Sequence, residues 1–238
     1  MGLKDWLKGL AAVGIEVNRA LDGGLSVGGL NFSRARHAPA PRSEPALLRC
    51  IDLRPQQVLD VGSGGGEHAT RFAAAGAEVT CIDFGTSIYA AKAQADAPYR
   101  VVYTDFNTWS PDSPYDLVWA SHVLEHQRNV GLFLERLVAA CRAGGHIAIT
   151  LPSPHRRLWG GHLTLWTPGL LAYNLVLCGL DLSGATILYG YREFSIIFSP
   201  LRIQLPELTQ DSGDLDRLAR YMPGNIREDS DPWIRPSN

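Results

Sequence analysis

Apolar positions in the middle of the chain alternate between short continuous runs and longer stretches with helical spacing. Strands are predicted at 57–61, 78–82, 100–104, 115–120 and 146–151, and helices at 67–75, 87–95, 130–142 and 168–178. Strands that alternate with helices of this length require right-handed crossovers and form a mainly parallel sheet. Two later runs, 185–189 and 193–198, predict a terminal hairpin. The pattern therefore predicts an α/β, Rossmann-like fold with helices on both faces of the sheet.

The two ends of the chain have a different pattern. Apolar residues recur at helical spacing between residues 3 and 21, which predicts an amphipathic helix that serves as a lid or packs on the domain. Glycines and prolines between residues 23 and 45 indicate a hinge, and the region after residue 200 is polar, with one short helix expected at 215–221. We expect three segments: an N-terminal helix and Gly/Pro-rich hinge over 1–42, the main domain over 43–200, and a polar C-terminal tail over 201–238.

Charge and cysteine content indicate which binding partners and which cellular compartment to expect. The chain has 22 basic and 24 acidic residues, so its net charge gives no electrostatic reason to expect a nucleic acid. Its four cysteines form no CxxC pair and lie mostly among apolar residues, which favours a reduced, cytoplasmic compartment. No uninterrupted apolar stretch suggests a secretory signal or a membrane span.

The strongest chemical signal is an apolar strand that runs directly into a glycine-rich turn, from Val58 to Gly66. Glycines in such a turn allow a tight backbone and the close approach of a ligand. A nicotinamide or flavin dinucleotide is the competing ligand, but the sixth position of its GxGxxG fingerprint is Glu67 here. An anion there, with Asp60 before the turn, would repel a pyrophosphate. The same charges suit the ammonium and sulfonium groups of S-adenosylmethionine.

Acidic residues also end the next two strands. Asp83 follows Gly62 by 21 residues, where a carboxylate can accept both hydroxyls of a ribose; alternatively, Asp83 caps the next helix. Asp105 precedes Phe106, and this pair could receive an adenine amino group and stack on the adenine ring. Because ligands of parallel sheets bind at the carboxyl ends of strands, the acidic residues predict one shared cofactor site.

The order of these motifs resembles that of class I S-adenosylmethionine-dependent methyltransferases, and more narrowly the group that includes the ubiquinone-biosynthesis O-methyltransferases. The motifs are Val58–Gly66, Asp83, Asp105, Tyr115–Val118 and His122–His126, within a match that spans about residues 50–200. The resemblance implies a seven-stranded sheet with an antiparallel last strand. It also implies that the glycines line the methionine moiety. The expected cofactor-binding residues are Asp60, Gly62, Ser63, Gly64, Gly66, Asp83, Phe84, Asp105, Phe106 and Ser121.

The segment after the fourth strand contains His122, Glu125 and His126, which share a face if they form one helical turn. Three interpretations are open. The side chains could cap and pack locally, His126 or His122 could act as a general base or orient the acceptor, or the cluster could bind a metal. HxxEH is also an inverzincin protease motif, but its position after a strand end beside a cofactor loop disfavours that reading.

Some relatives in the wider methyltransferase class bind a metal through an ExxEH-like cluster and a later histidine. By that resemblance the candidate metal ligands are His122, Glu125, His126 and His162. Because His122 stands where those relatives have Glu, a divalent metal is a candidate cofactor that we do not expect.

The loop after the fifth strand carries candidate substrate contacts, as such loops commonly do. Its arginines could clamp a phosphate or carboxylate, and Trp159 with Trp166 could stack on a sugar or aromatic ring. A solvated basic turn with anchoring aromatics is the alternative. The candidate substrate-binding residues are His155, Arg156, Trp159 and His162.

Together these features predict an enzyme that transfers a methyl group from S-adenosylmethionine to a small molecule or glycan, most readily at a hydroxyl. The alternatives are an NAD(P)-dependent Rossmann oxidoreductase and a cofactor-binding module without catalysis. We expect no nucleic acid and no membrane span, and a homodimer is compatible with the sequence.

Overall fold

The computed structural model describes residues 17–19, 25–27, 30–32, 42–92, 96–154, 158–190, 192–224 and 226. The chain divides into two compact units, 1–42 and 43–238. In the first unit, strands β1 (Val17–Arg19), β2 (Leu25–Val27) and β3 (Leu30–Phe32) form an antiparallel sheet in that order.

This small sheet corrects two expectations about the N-terminal segment. The helix predicted over 3–21 is wrong at 17–19, and the hinge predicted after residue 22 contains two strands. Val17 and Val27 are register partners, and β-branched residues favour paired strands over helices. The rest of the predicted helix lies outside the described residues.

The second unit contains a mixed sheet with helices. Its elements in chain order are α1 (Glu44–Asp52), β4 (Gln57–Val61), α2 (Glu67–Ala74), β5 (Glu78–Asp83), β6 (Arg100–Tyr103), β7 (Tyr115–Ser121), α3 (Val130–Ala140), β8 (Cys141–Pro152), α4 (Pro168–Leu177), β9 (Leu180–Asp181), β10 (Thr186–Gly190), β11 (Glu193–Phe198), β12 (Leu201–Arg202) and α5 (Asp214–Leu218). Short 3-10 helices cover Ala90–Lys92, Leu124–His126 and Ala219–Tyr221.

The main sheet has seven strands in the order β10-β11-β8-β7-β4-β5-β6. Strands β8, β7, β4, β5 and β6 are parallel, whereas β11 runs antiparallel to both β8 and β10. The prediction of a mainly parallel Rossmann-like sheet with an antiparallel last strand is confirmed. Its parallel strands alternate with crossovers, which place their carboxyl ends along one edge.

Both faces of the sheet are buried, as expected for parallel strands covered by helices. Successive residues of β4 belong to different apolar clusters: Val58 packs with residues of α1 and α2, and Leu59 with residues of α3 and α4. The fully buried indole of Trp119 belongs to the first cluster. This three-layer core holds the strand ends in fixed positions.

One predicted helix is much shorter than expected. Of the helix predicted over 87–95, the described residues contain only the 3-10 turn at Ala90–Lys92. Ile88 and Tyr89 are 77% and 49% exposed, so little apolar burial stabilises a longer helix there. The helix predicted at 215–221 is present as α5 and the following 3-10 turn, where Leu218 is fully buried. None of the helices among the described residues is both long and apolar enough to cross a membrane.

Candidate cofactor and acceptor site

The site lies at the carboxyl edge of the sheet, where the strand order changes direction. From β4 the chain continues to β5 and β6 on one side, whereas β7 and β8 lie on the other side. Neighbouring loops diverge at such a point and leave a crevice for a ligand. Gly62 follows β4 and His122 follows β7, so the glycine turn and the histidine cluster lie at the same edge.

The glycine turn depends on the absence of side chains. Gly62, Gly64 and Gly66 have φ values of 73°, 55° and 76°, in the left-handed region that glycine adopts readily. A Cβ atom on Gly62 would clash with the side chain of Val123, and one on Gly66 with the ring of Tyr99. The turn is attached to β5, because the backbone N–H groups of Gly62 and Ser63 donate to the carbonyl of Ile82 at 2.7 and 3.4 Å. The result is a compact cradle in which Gly62 to Gly65 are half-buried and Gly66 is buried.

Asp83 connects this cradle to the end of β5. Its Oδ2 accepts the backbone N–H of Gly64 at 2.9 Å, and its Oδ1 accepts that of Gly85 at 2.8 Å. Each carboxylate oxygen can accept a second hydrogen bond, so the group can still bind ligand hydroxyls. The neighbouring Phe84 is 59% exposed. Asp83 therefore fixes the turn and presents acceptors at the edge where a ribose was expected.

Asp60 is a buried carboxylate directly before the turn. It is 2% exposed and accepts a hydrogen bond from the backbone N–H of Ala69, while its Oδ2 has no hydrogen-bond partner among the described residues. Burial, and secondarily the negative charge of Asp83, raise the pKa of Asp60 to about 7. A cationic ligand would offset this buried negative charge, whereas a pyrophosphate would add to it. The glycine cradle and Asp60 thus fit S-adenosylmethionine. Glu67, which replaces the last glycine of the dinucleotide fingerprint, is exposed at the start of α2.

The residues after β6 only partly match the expected adenine site. The Oδ1 atom of Asp105 accepts hydrogen bonds from the backbone and the side chain of Asn107, at 2.9 and 3.2 Å. Phe106 is 6% exposed, and its ring packs against Phe133 and Trp109 at centroid distances of 5.4 and 6.3 Å. Core aromatics therefore cover most of the Phe106 ring, and stacking of adenine on it stays a prediction. Contact of Asp105 with an adenine amino group stays a prediction.

The histidine segment does not form the expected helical turn. His122 has a φ of 57°, and the 3-10 helix begins only at Leu124. The side chains nevertheless converge. Nδ1 of His122 lies 3.3 Å from Oε1 of Glu125, and Nε2 of His126 lies 3.9 Å from the same oxygen. Glu125 is 1% exposed and lies between the two imidazoles, and neither of its carboxylate oxygens has a hydrogen-bond partner among the described residues.

A second carboxylate, Glu193 on β11, completes this cluster. Its Oε2 lies 2.9 Å from Nε2 of His122. Burial lowers the pKa of His122, but the interactions with Glu125 and Glu193 together outweigh burial and raise the pKa above its usual value. Glu193 was not among the residues expected from the sequence. The available signal was a charged residue at the start of a strand that is apolar except for Ser195.

His126 differs from His122 in exposure and in bonding. Its side chain is 42% exposed, and its Nδ1 lies 2.7 Å from the carbonyl oxygen of Gly161. Because a carbonyl only accepts hydrogen bonds, Nδ1 must carry the hydrogen and, in the neutral ring, Nε2 carries the lone pair. The contact therefore selects the tautomer that a general base requires.

The loop after β8 brings a third histidine to the cluster. The ring of His162 is perpendicular to that of His126 at 5.0 Å, and the indole of Trp159, 41% exposed, lies 5.5 Å from His162. One ligand atom from each of Glu125, His126 and His162 lies within 4.8 Å of the others, a spacing that could hold a metal ion. Trp166 is 4% exposed and donates to Thr164, so its indole packs in the core, and its stacking on a substrate stays a prediction.

Two further expectations concern residues around this loop. His155 and Arg156 lie outside the described residues. The hydroxyl of Ser121 lies 2.6 Å from that of Ser43, so in this structure it links the end of β7 to the start of α1. Contact of Ser121 with the cofactor stays a prediction.

The chain is similar in sequence to known methyltransferases. A family described as a methyltransferase domain matches residues 33–174. The malonyl-[acyl-carrier protein] O-methyltransferase of Pseudescherichia vulneris is 30% identical over 117 residues, covering 48% of this chain and 47% of that protein. A ubiquinone biosynthesis O-methyltransferase of Rhodopseudomonas palustris is 32% identical over 124 residues, covering 50% and 49%. The match thus spans about half the length of these curated relatives.

A solved structure supports the fold. The 1,6-didemethyltoxoflavin-N1-methyltransferase of Burkholderia thailandensis, with bound 1,6-didemethyltoxoflavin and S-adenosylhomocysteine, has a TM-score of 0.54 and 21% identity to this chain. The superposition covers 66% of this chain and 77% of that one. At this identity the likeness concerns the fold.

Proposed function

This chain belongs to the methyltransferase-domain family, and from that premise we propose that it transfers the methyl group of S-adenosylmethionine to a hydroxyl oxygen of a small-molecule or glycan acceptor. The observation that carries the proposal is the pairing of two features at one sheet edge. The glycine cradle with the buried Asp60 lies on one side, and the partly exposed imidazole of His126, whose Nδ1 donates to Gly161, lies on the other.

S-adenosylmethionine supplies, when bound, an electrophilic methyl carbon on a sulfonium and leaves as neutral S-adenosylhomocysteine. The backbone of Gly62 to Gly66 and the carboxylates of Asp60 and Asp83 bind and orient it. Nε2 of His126 accepts the acceptor's hydroxyl proton while the oxygen attacks the methyl carbon and the carbon–sulfur bond breaks. Holding the two reactants close and in line provides much of the acceleration in such a displacement.

Two observations favour oxygen as the methylated atom. A hydroxyl must lose a proton during transfer, and the contact with Gly161 prepares His126 to accept it. The two curated relatives described above are O-methyltransferases. The exposed Trp159 beside His162 supports an acceptor with an aromatic or sugar ring, because an indole face stacks on either.

The same cluster supports a second way to activate the acceptor. A divalent cation bound by Glu125, His126 and His162 would polarise the acceptor oxygen directly. It would then occupy the Nε2 lone pair that the base mechanism requires, so the two mechanisms exclude one another. The tautomer of His126 suits both, and we favour the base because His122 stands where the metal-binding relatives have Glu.

The proposal is tested by transfer of a labelled methyl group from S-adenosylmethionine to panels of phenols, carboxylic acids and sugars. We expect labelled product from a hydroxyl acceptor, and a His126→Asn variant that binds S-adenosylmethionine normally but transfers the label slowly. The control is Glu207→Gln, a change at an exposed residue. Labelling only of nitrogen or carboxylate acceptors, or full activity of the histidine variant, would contradict the proposal.

We also propose a cytoplasmic location. All four cysteines are free of disulfides, and three of them are buried. Burial raises the pKa of Cys50 to about 12, so this thiol stays protonated and inert. Such cysteines are typical of proteins in reducing compartments.

A further inference from the structure

We propose that Glu193 is a positioning residue of this site, which holds His122 and Ser43 in place and so leaves His126 as the histidine that takes the acceptor's proton. The role in methyl transfer rests on the proposed function. The hydrogen-bond arrangement on which it depends can be tested without any acceptor.

Glu193 reaches the site because of the antiparallel last strands. It is the first residue of β11 and pairs with Pro152, the last residue of β8, so it lies at the carboxyl edge of the parallel strands. Its side chain is 9% exposed, and a carboxylate buried to this degree needs hydrogen-bond partners. Oε1 accepts the backbone N–H of Ser43 at 2.6 Å, and Oε2 lies 2.9 Å from Nε2 of His122. One oxygen therefore holds His122, and the other holds Ser43, whose hydroxyl contacts Ser121.

The two partners of Glu193 share an unusual backbone conformation. Ser43 and His122 have φ values of 60° and 57°, in the left-handed region that is unfavourable for residues with a side chain. Such conformations persist only where the surroundings hold them. The N–H of His122 donates to the carbonyl of Thr150 at 2.9 Å, but Glu193 is the group that binds both strained residues. We infer that it stabilises the two turns together.

The arrangement also separates the roles of the two histidines. Nδ1 of His122 faces Glu125 at 3.3 Å and Nε2 faces Glu193 at 2.9 Å. Because a carboxylate only accepts hydrogen bonds, Nε2 of His122 donates to Glu193 and offers no lone pair to a substrate or a cation, and Nδ1 faces the buried carboxylate of Glu125. His126 keeps its Nε2 lone pair because its Nδ1 donates to Gly161. His122 therefore orients Glu125, and His126 meets the acceptor.

Gly190 provides an independent way to move Glu193. The two residues are register partners at the hairpin, and a Cβ atom on Gly190 would lie 2.9 Å from both Cγ and Oε1 of Glu193. The φ angle of Gly190 is not positive, so alanine is compatible with the backbone there. Gly190→Ala should consequently displace the carboxylate while leaving its charge intact.

The experiment compares the full chain with Glu193→Gln, Gly190→Ala and the exposed control Glu207→Gln. Proton NMR detects the hydrogen-bonded Nε2–H of His122, assigned by its loss in His122→Asn. In Glu193→Gln an NH2 donor replaces one carboxylate oxygen and the negative charge is lost, so the hydrogen bond from His122 either breaks or loses the charge that strengthens it. We expect the downfield Nε2–H signal to disappear or move upfield in Glu193→Gln, to shift in Gly190→Ala and to persist in the control. Circular dichroism identifies any variant that fails to fold.

The second readout is kinetic. With an acceptor identified, we expect Glu193→Gln to lower kcat about 10-fold to 100-fold, because a small misplacement of reacting groups costs rates of this size. The affinity for S-adenosylmethionine should change less than about 2-fold, since none of the bonds of Glu193 involves the glycine turn.

Each outcome has a distinct meaning. An unchanged His122 signal in both variants would overturn the hydrogen-bond arrangement, and a lost signal with unchanged kcat would overturn the positioning role. Failure of the wild-type chain to bind S-adenosylmethionine would instead refute the proposed function, while the NMR result would still decide whether Glu193 holds His122.

Discussion

Replacement of Asp60 by Asn should stabilise the fold at alkaline pH while weakening cofactor binding. The folded-state pKa of Asp60 is raised from 3.8 to about 7. The folded protein therefore binds this proton more tightly than the unfolded chain, and the free energy of unfolding falls as the pH rises from about 4 to about 7. A shift of about 3 pKa units lowers the free energy of unfolding by about 4 kcal/mol at pH values above that window.

The change in the free energy of unfolding of Asp60→Asn depends on which properties of Asp60 asparagine retains. It has no charge at any pH, and its amide oxygen can still accept the backbone N–H of Ala69. Asp60→Asn should therefore recover most of the penalty, about 2 to 4 kcal/mol at pH 8, and very little at pH 4. It also removes the anion that we expect to attract a cationic cofactor, so the affinity for S-adenosylmethionine should fall about 10-fold or more, equivalent to about 1.4 kcal/mol.

Urea unfolding at several pH values, without ligand, measures the first effect, and calorimetric titration measures the second. Asp116→Asn is a matched control of opposite sign. The hydrogen bond from Arg142, and then those from the backbone of Gln57 and Gln56, hold the pKa of Asp116 below its usual value. The stability that Asp116 contributes is present above its unfolded pKa and is lost as the pH falls, so this control should destabilise the fold at pH 8. Equal or lower stability of Asp60→Asn at pH 8 would refute the reasoning.

Three further predictions concern the turn and the cluster. Gly62→Ala should lower the free energy of unfolding by about 2 to 4 kcal/mol, because Gly62 has a positive φ and a Cβ atom there would clash with Val123. In a double-mutant cycle measured by urea unfolding, adding Val123→Ala should recover part of this loss. Strictly additive effects would argue against the contact. His126→Asn should slow methyl transfer about 100-fold to 10,000-fold at unchanged cofactor affinity in single-turnover assays, and a loss confined to affinity would contradict the base role. Chelation with EDTA should leave the transfer rate unchanged, whereas a loss restored by added divalent cation would favour the metal mechanism of Glu125, His126 and His162.

The sheet and the glycine turn were predictable because their signals are local. The period of the apolar residues distinguishes strands from helices. The glycines from Gly62 to Gly66 mark a turn at the carboxyl end of a strand, which is where ligands of such sheets bind. Burial of individual aromatics was less predictable, since a ring at a strand end or in a loop can pack inward or remain exposed. Phe106 and Trp166 pack into the core, whereas Phe84 and Trp159 are exposed.

The connection between Glu193, His122 and Ser43 was not predictable from the sequence. Glu193 is 150 residues from Ser43 and 71 from His122, and the pairing of β11 with β8 and the packing of α1 on the sheet bring the three together. Two of the three also adopt left-handed backbone conformations that their residue types do not favour. Local propensity fails here because long-range hydrogen bonds determine the conformation, which is common at functional sites.

Calorimetric titration of the intact chain with S-adenosylmethionine and with NAD, alongside Asp83→Ala, tests the central claim most directly. Asp83 holds the glycine turn through Gly64 and presents the acceptors expected to bind the ribose. The account predicts micromolar binding of S-adenosylmethionine that Asp83→Ala loses, and no comparable binding of NAD. Binding of NAD without binding of S-adenosylmethionine would contradict it.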